Sequence, residues 1–139
     1  MLSVQEISDR LELQQLLTDY ATAVDRRQFD ELHELFTVDA HIDYSAVGGA
    51  IGTPAEIVPW LRENLALFSA YYHLNANIDL HIAGDEATGT VMCFNPMVFA
   101  GDDAATLTVG VWYHDSYRRI DGRWRIARRV EEKCFMHSS

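Results

Sequence analysis

The stretch Tyr72-His73-Leu74-Asn75-Ala76-Asn77-Ile78-Asp79-Leu80-His81-Ile82 marks the point where the hydrophobic period of the chain changes. Apolar and polar residues alternate along it, which is typical of a strand with one buried face. Before it, apolar residues recur at helical spacing, as in Leu13, Leu16, Leu17 and Tyr20. After it, the alternation of a sheet continues. The sequence therefore predicts an α+β architecture with the helices first and the sheet afterwards.

Two helices are predicted at the start of the chain. The first begins after a capping box at Ser3-Val4-Gln5-Glu6 and continues to Val24. Asp25-Arg26-Arg27 then interrupts the helical pattern, and residues 29–36 indicate a short second helix.

A short strand and a third helix are predicted before residue 70. Residues 40–44 alternate as a strand does, and Gly48–Gly52 is expected to form a loop. Thr53-Pro54-Ala55-Glu56 combines a helix N-cap, a proline at the first helical position and a glutamate at the third. The helix that starts there carries apolar residues as far as Phe68.

Four strands are predicted after residue 70, over residues 72–82, 88–99, 107–118 and 123–134. Turns are expected between them at 83–86, at Gly101-Asp102-Asp103 and at the strong hairpin signal Asp121-Gly122. The second of these strands is apolar on both faces, and three helices cannot cover both sides of a strongly bent sheet. A second subunit is the simplest cover for the other side.

Composition excludes several classes of function. The chain has 139 residues, 48% of them apolar, which suits one domain over residues 1–139 with a sizeable core. Its net charge of −10 repels phosphate backbones and anionic lipid, so no nucleic-acid or membrane partner is expected. Cys93 and Cys134 form no metal or disulfide motif, and the start of the chain does not read as a signal peptide. We therefore expect a cytoplasmic protein with reduced thiols.

The order of elements and a set of residues resemble the SnoaL-like family, a branch of the cone-shaped nuclear-transport-factor superfamily. The residues that carry the resemblance are Tyr20, Asp25, Phe29-Asp30-Glu31-Leu32, Leu35-Phe36, Asp39-Ala40, Tyr44, His73, Asn77 and Tyr117–Trp124. The resemblance covers almost the whole chain. It implies a cone in which three N-terminal helices pack on a strongly curved, mixed but mostly antiparallel sheet.

The resemblance also implies a chemistry. Scytalone dehydratase, bile-acid 7α-dehydratase and hexachlorocyclohexane dehydrochlorinase are trimeric eliminating enzymes that need no cofactor and use an Asp–His pair in the pocket. The catalytic pair falls here on Asp25 and His73. Tyrosines of the dehydratases fall on or near Tyr20 and Tyr44, and the pocket arginine of the dehydrochlorinase falls on Arg129. We expect these three side chains to bind the substrate.

These residue types suit proton abstraction. A neutral His73 would take a proton from a carbon next to a carbonyl or a leaving group, and Asp25 would fix its tautomer. Tyr20 and Tyr44 could donate to a carbonyl, an enolate oxygen or a departing hydroxyl, and Arg129 could stabilise an anionic oxygen or a halide. The expected function is a dehydratase-type lyase that acts on a small hydrophobic, cyclic hydroxy-carbonyl compound without metal or cofactor. The expected assembly is a homo-oligomer, with a trimer favoured over a dimer.

Several alternatives stay open at this stage. The same cone supports isomerisation, polyketide ring closure, epoxide hydrolysis or ligand binding without catalysis. Tyr20 and Tyr44 could be core residues, and Arg129 could form an ion pair between strands. The chain has a tyrosine where the dehydrochlorinase has a lysine, and Asn95 is the only polar candidate on its strand, so the leaving group could be hydroxide or halide. His41, His81 and His114 are interpreted as structural, with no assigned acidic partner.

Overall fold

The computed structural model describes residues 1–101 and 105–139. Asp102 and Asp103 of the predicted turn therefore lie outside the described residues. The helices are α1 (Val4–Asp25), α2 (Leu32–Leu35) and α3 (Pro54–Leu65), with short 3-10 turns at Phe29–Glu31 and Ser45–Val47. The strands are β1 (Phe36–Asp43), β2 (Ile51–Gly52), β3 (Phe68–Tyr71), β4 (Leu74–Ala83), β5 (Glu86–Phe99), β6 (Thr106–Ile120) and β7 (Arg123–Ser138).

The strands form one mixed sheet in the order β2-β1-β7-β6-β5-β3. On the same edge of β5, β3 pairs with residues 97–99 and β4 pairs with residues 86–94. The pair β1–β7 is parallel, and every other described pair is antiparallel. Helix α1 packs on β4 and β7, and α3 packs on β1. The predicted architecture, three helices on a mixed, mostly antiparallel sheet, is confirmed.

The helix caps lie where the sequence predicted them. The hydroxyl of Ser3 accepts a hydrogen bond from the backbone N–H of Glu6, but the Glu6 carboxylate accepts from Arg10 and does not close the predicted capping box. Thr53 and Glu56 form a reciprocal capping box at the start of α3. The end of α3 was predicted too late, because that helix stops at Leu65 and Phe68 begins β3. In the strand, Phe68 pairs with Phe99, and the two ring centroids are 4.7 Å apart.

Strands β2 and β3 were missed by the sequence reasoning. β2 has two residues and β3 has four, so neither is long enough to show a period of two. β1 is also longer than predicted, since it starts at Phe36, which the pattern had placed in the second helix. His73 lies between β3 and β4 rather than at the start of a continuous strand.

A β-bulge in β4 reverses the faces that simple alternation predicts. The pairing with β5 shifts by one residue between Ala76 and Asp79, and Asn77 there has a left-handed φ of 48°. Before the bulge, His73 and Asn75 face inward, and after it Ile78, Leu80 and Ile82 pack on the core. The prediction of one apolar face along the whole stretch was therefore wrong, because one extra residue inverts the pleat.

A second bulge interrupts the last hairpin. Its turn is Asp121-Gly122, as predicted, with φ values of 52° and 77°. Ile120 pairs with Arg123 at the turn, but the register shifts by one residue between Ser116 and Tyr117. Beyond that point Asp115 faces Arg129, and the arginine points into the core.

The buried apolar side chains form one cluster between the helices and the inner face of the sheet. Cys93 is buried and Cys134 is exposed, and both are free. Within the described residues, none of the helices is long and apolar enough to cross a bilayer.

Two leucines of α1 provide a matched test of this packing. Leu13 is 0% exposed and Leu11 is 61% exposed. We expect Leu13→Ala to lower the free energy of unfolding by about 2–5 kcal/mol, since it leaves a cavity under the sheet. Leu11→Ala should change it by less than about 0.5 kcal/mol. Chemical denaturation of both variants checks this, and equal losses would contradict the packing described here.

Candidate active site

Asp25 and His73 meet where the end of α1 approaches the start of β4. Nδ1 of His73 lies 2.7 Å from Oδ1 of Asp25, and the backbone N–H of His73 donates to both carboxylate oxygens at 3.1 Å. A carboxylate can only accept, so in the neutral imidazole the hydrogen sits on Nδ1 and leaves Nε2 unprotonated. The side chain of His73 is 11% exposed, and that of Asp25 is 19% exposed. The pair is thus oriented by three hydrogen bonds and largely shielded from solvent.

Neighbouring contacts hold the end of α1 against β3, just before His73. The hydroxyl of Tyr71 donates to the backbone carbonyl of Val24 at 2.7 Å. Arg27 has a positive φ of 59°, and its guanidinium donates to the carbonyls of Leu65 and Phe68 while it lies over the ring of Tyr71. Because these bonds join α1, α3 and β3, the carboxylate of Asp25 is placed by the fold and not by a flexible loop.

His73 also lines a cavity of about 250 Å³ between the helices and the sheet. Most of the wall is apolar, with polar groups from a few side chains. The lining residues include Tyr20, Tyr44, Trp60, Leu61, Phe68, His73, Asn95, Met97, Tyr113 and Glu131. At the loop side of the cavity, Gly49 is required, since a Cβ there would lie 2.6 Å from Cβ of Tyr44 and 3.1 Å from the ring of Trp60.

Tyr20 and Tyr44 lie together on the cavity wall. Their hydroxyl oxygens are 2.5 Å apart, so one donates to the other, and both residues are buried. Burial raises the pKa of each phenol above its ordinary value, and the positive charge of Arg129 opposes that shift. Both tyrosines therefore stay protonated at neutral pH and can act as hydrogen-bond donors.

Arg129 is completely buried, with 0% exposure, and is held by a second carboxylate. Its Nε and Nη2 donate to the two oxygens of Asp115 at 2.9 and 2.7 Å, and the hydroxyl of Tyr117 donates to the same carboxylate. The guanidinium lies 4.3 Å from the ring centroid of Tyr20 and 3.9 Å from that of Tyr113. Arg129 is not among the residues that line the cavity, so these rings lie between it and a ligand.

The remaining polar residues are placed as follows. Asn95 lines the cavity and donates from Nδ2 to the carbonyl of Tyr72 at 2.8 Å, which leaves its side-chain oxygen available. His81 and His114 are exposed, and each has an acidic neighbour that the sequence reasoning did not assign, Asp79 at 3.6 Å and Glu132 at 3.4 Å. Neither histidine lines the cavity.

Sequence reasoning missed several residues of the cavity wall, among them Trp60, Tyr113 and Glu131. Trp60 was assigned only to the apolar face of the third helix. Tyr113 and Glu131 pair with each other across β6 and β7, beyond the bulge that shifts the register of the hairpin. Strict alternation from Trp124 and Ile126 would place Glu131 on the other face, so no signal in the pattern could reveal it.

The grouping of His, Cys, Asp and Glu side chains bears on whether the described residues could hold a metal ion. Over residues 1–101 and 105–139, no three or more His, Cys, Asp and Glu side chains are grouped so that they could hold a metal ion. Asp25 and His73 by themselves supply two ligand atoms, fewer than a protein zinc site uses.

A comparison with protein families identifies the family of this chain. A family model described as a SnoaL-like domain matches residues 5–130. The chain belongs to the SnoaL-like family. The SnoaL-like chain is 53% identical over 135 residues to the uncharacterized protein Rv2910c of Mycobacterium tuberculosis, and the match covers 97% of this chain and 92% of that one.

Solved structures share the fold of this SnoaL-like chain. A candidate scytalone dehydratase from Novosphingobium aromaticivorans superposes with a TM-score of 0.85 at 19% identity, over 94% of this chain and 87% of that one. Hexachlorocyclohexane dehydrochlorinase LinA-type3 from Novosphingobium barchaimii superposes with a TM-score of 0.80 at 19% identity, over 96% and 91%. At such identities the likeness establishes the fold alone.

The buried ion pair leads to a stability prediction. We expect Arg129→Met to lower the free energy of unfolding by about 3–5 kcal/mol, because it leaves the Asp115 carboxylate buried without its cation. Arg128→Met, at an exposed position on the same strand, should cost less than about 0.5 kcal/mol. Urea denaturation of the two variants measures the difference, and similar costs would show that the ion pair is not the reason.

Proposed function

We propose that this SnoaL-like chain is a cofactor-independent lyase of the dehydratase type. Its substrate class is a small hydrophobic, cyclic hydroxy-carbonyl compound. The observation that carries the proposal is the hydrogen bond between Asp25 and His73 at the wall of a mostly apolar cavity. The shared fold with a candidate scytalone dehydratase and with a dehydrochlorinase is in keeping with elimination chemistry.

In the proposed reaction, His73 is the general base. Asp25 engages Nδ1, so the free electron pair is on Nε2, the only ring nitrogen left for a ligand in the cavity. Nε2 takes the proton from the carbon next to the carbonyl, and the carboxylate stabilises the imidazolium that forms. A positioned base of this kind contributes about 10²–10⁴-fold to the rate.

Tyr20 and Tyr44 are proposed to bind the oxygen on which negative charge develops. Their hydroxyls are already hydrogen-bonded to each other, and one proton of the pair remains free to donate into the cavity. The charge of Arg129 acts on that oxygen across the ring of Tyr20, without touching the ligand. Donors held in place before the reaction stabilise an enolate without reorganisation, which lowers the barrier.

The walls of the cavity favour a compact apolar ring. Trp60, Leu61, Phe68 and Met97 supply flat or flexible apolar surface, and about 250 Å³ is room for a small molecule only. Elimination from a carbon activated by a carbonyl needs a proton transfer and charge stabilisation, and the residues above provide both. We therefore propose that the reaction uses neither a metal nor an organic cofactor.

Isomerisation and ring closure start from the same proton abstraction, so they are the nearest alternatives. They differ in the mass of the product, because only elimination of the hydroxyl releases water. Ligand binding without catalysis differs in that it leaves the proton next to the carbonyl in place.

The test is a panel of cyclic hydroxy-ketones incubated with the wild type in D₂O and followed by mass spectrometry. We expect a product lighter by one water, and rates about 10²–10⁴-fold lower for His73→Ala and Asp25→Asn. His81→Ala is the matched control, since His81 lies on β4, the strand that follows His73, and is exposed. It should retain the rate of the wild type.

Three results would count against the proposal. A product that keeps the elements of water, with or without uptake of deuterium, would identify an isomerase or a cyclase. Binding of panel members without loss of water or uptake of deuterium would favour a binding protein. Full activity of both His73→Ala and Asp25→Asn on a true substrate would remove the pair from the mechanism.

We also propose that the chain assembles as a homotrimer through the outer face of the sheet. Leu74, Phe94, Gly110 and Phe135 are neighbours in one row across β4, β5, β6 and β7, and the three large side chains of that row are exposed. The ring centroids of Phe94 and Phe135 are 6.4 Å apart. A contiguous apolar row of this kind supports burial by a second copy of the chain.

Light scattering coupled to gel filtration tests the assembly. We expect the wild type to have three times the chain mass of 15.8 kDa and Phe94→Arg to dissociate, because a charge cannot be buried unpaired. Val38→Arg is the control, since Val38 is exposed on β1, away from this row. A monomeric wild type would refute the assembly, and a dimer would correct its stoichiometry.

A further inference from the structure

One titratable group of the cavity has no part in the proposed mechanism. Glu131 is on β7, directly opposite Tyr113 in the pairing with β6, and it lines the same cavity as His73. Its side chain is half-buried. A carboxyl group that shares an apolar cavity with a general base is placed for a second role in proton transfer.

The carboxyl of Glu131 has no cation to hold it as an anion. Among the residues that the structure describes, no side chain of Lys, Arg or His lies within 4.0 Å of it. Arg129 is two residues earlier on the same strand, but its guanidinium already makes a bidentate ion pair with Asp115. The nearest positive charge is therefore offset by another carboxylate, and burial favours the neutral form of Glu131.

We propose that Glu131 is the general acid of the site and gives its proton to the departing hydroxyl group. This inference rests on the proposed elimination. A general acid at Glu131 favours hydroxyl over halide as the leaving group, because a halide departs as a stable anion and needs no proton. The substrate class becomes neutral β-hydroxy carbonyl compounds.

The electrostatics around Glu131 support a proton held at neutral pH. Burial raises the pKa of its carboxyl from 4.5 to about 8, the charge of Arg129 opposes that shift, and the carboxylate of Asp43 on β1 adds to it. Its neighbours among the cavity groups are Tyr20, Tyr44 and Tyr113, and burial raises the pKa of each phenol above 10.0. The tyrosines therefore keep their protons, and Glu131 is the cavity acid best matched to release one near neutral pH.

The step balances as follows. Nε2 of His73 takes the proton from the carbon next to the carbonyl, and the electron pair of that C–H bond forms the new C=C bond. The C–O bond breaks, and its electron pair leaves with the hydroxyl, which takes the proton of Glu131 and departs as water. The site is left with an imidazolium and a carboxylate. Transfer of one proton from His73 to Glu131 through solvent restores it.

Two substrates that share the same ring but carry different leaving groups distinguish an acid role of Glu131 from a structural role. The pair is β-hydroxycyclohexanone and β-chlorocyclohexanone, with the rate of uncatalysed elimination subtracted. We expect Glu131→Gln to slow loss of water by about 10²-fold or more, and to slow loss of chloride by no more than about threefold. Glu132→Gln, at an exposed neighbour, is the matched control and should act as the wild type on both.

The outcomes distinguish the two proposals. If His73→Ala slows both reactions but Glu131→Gln slows neither, the elimination stands and the acid role of Glu131 is overturned. An equal loss on both substrates in Glu131→Gln assigns Glu131 to packing and also overturns its acid role. If the wild type eliminates neither leaving group, the proposed function fails, and the inference that rests on it fails too.

A measurement without substrate tests the same point. We expect the carboxyl carbon of Glu131, identified by its absence in Glu131→Gln, to titrate near pH 8 in an NMR experiment, in keeping with its raised pKa. The unfolded chain releases this proton near pH 4.5 and the folded protein only near 8, so the wild type should lose stability relative to Glu131→Gln as pH rises through that window. Titration of the carboxyl near 4.5 in the folded protein would overturn the proposal.

Discussion

A guanidinium group buried in the core sets the electrostatics of this molecule. Arg129 has no exposed surface, and an isolated charge in such a position would cost far more free energy than a small protein can supply. Asp115 neutralises it with two hydrogen bonds, Tyr117 donates to that carboxylate, and the rings of Tyr20 and Tyr113 cover the guanidinium. The contacts that neutralise and cover the buried guanidinium therefore also order the wall of the cavity. Because the positive charge is already offset, the other ionisable groups of the cavity respond mainly to burial.

His73 lies at another wall under a different constraint. Its carboxylate partner comes from the end of a helix, and it binds both the backbone N–H and the ring of the same residue. Because the Asp25 carboxylate accepts hydrogen bonds from the backbone and from the ring of His73, the imidazole has little freedom to rotate. The cavity thus has a fixed imidazole at one wall and buried hydroxyls at others. Preorganisation of this kind is what proton transfer from carbon requires, because the cost of orienting the groups is met during folding.

Much of the architecture could be predicted from the sequence, because the strongest signals are local. The caps at Ser3 and Thr53 and the turn at Asp121-Gly122 depend only on neighbouring backbone geometry, and the structure confirms all three. Strands β2 and β3 were missed, since two or four residues cannot display a period. The candidate site was a different case. Asp25 and His73 were singled out through a family resemblance, because the residues alone favoured a structural explanation.

The sequence by itself determined the order of helices and strands, the acidic surface and the identity of the groups available for chemistry. The tertiary structure decided which of those groups face inward. Among the bulges of the sheet, the one at Asn77 in β4 and the one in β7 between Ile126 and Arg128 each invert the pleat, and so His73, Arg129 and Glu131 lie on the inner side. A bulge depends on how two distant strands pair and on which side chains can be buried together. No periodicity read along one strand contains that information, because the energy that selects the register is shared between strands.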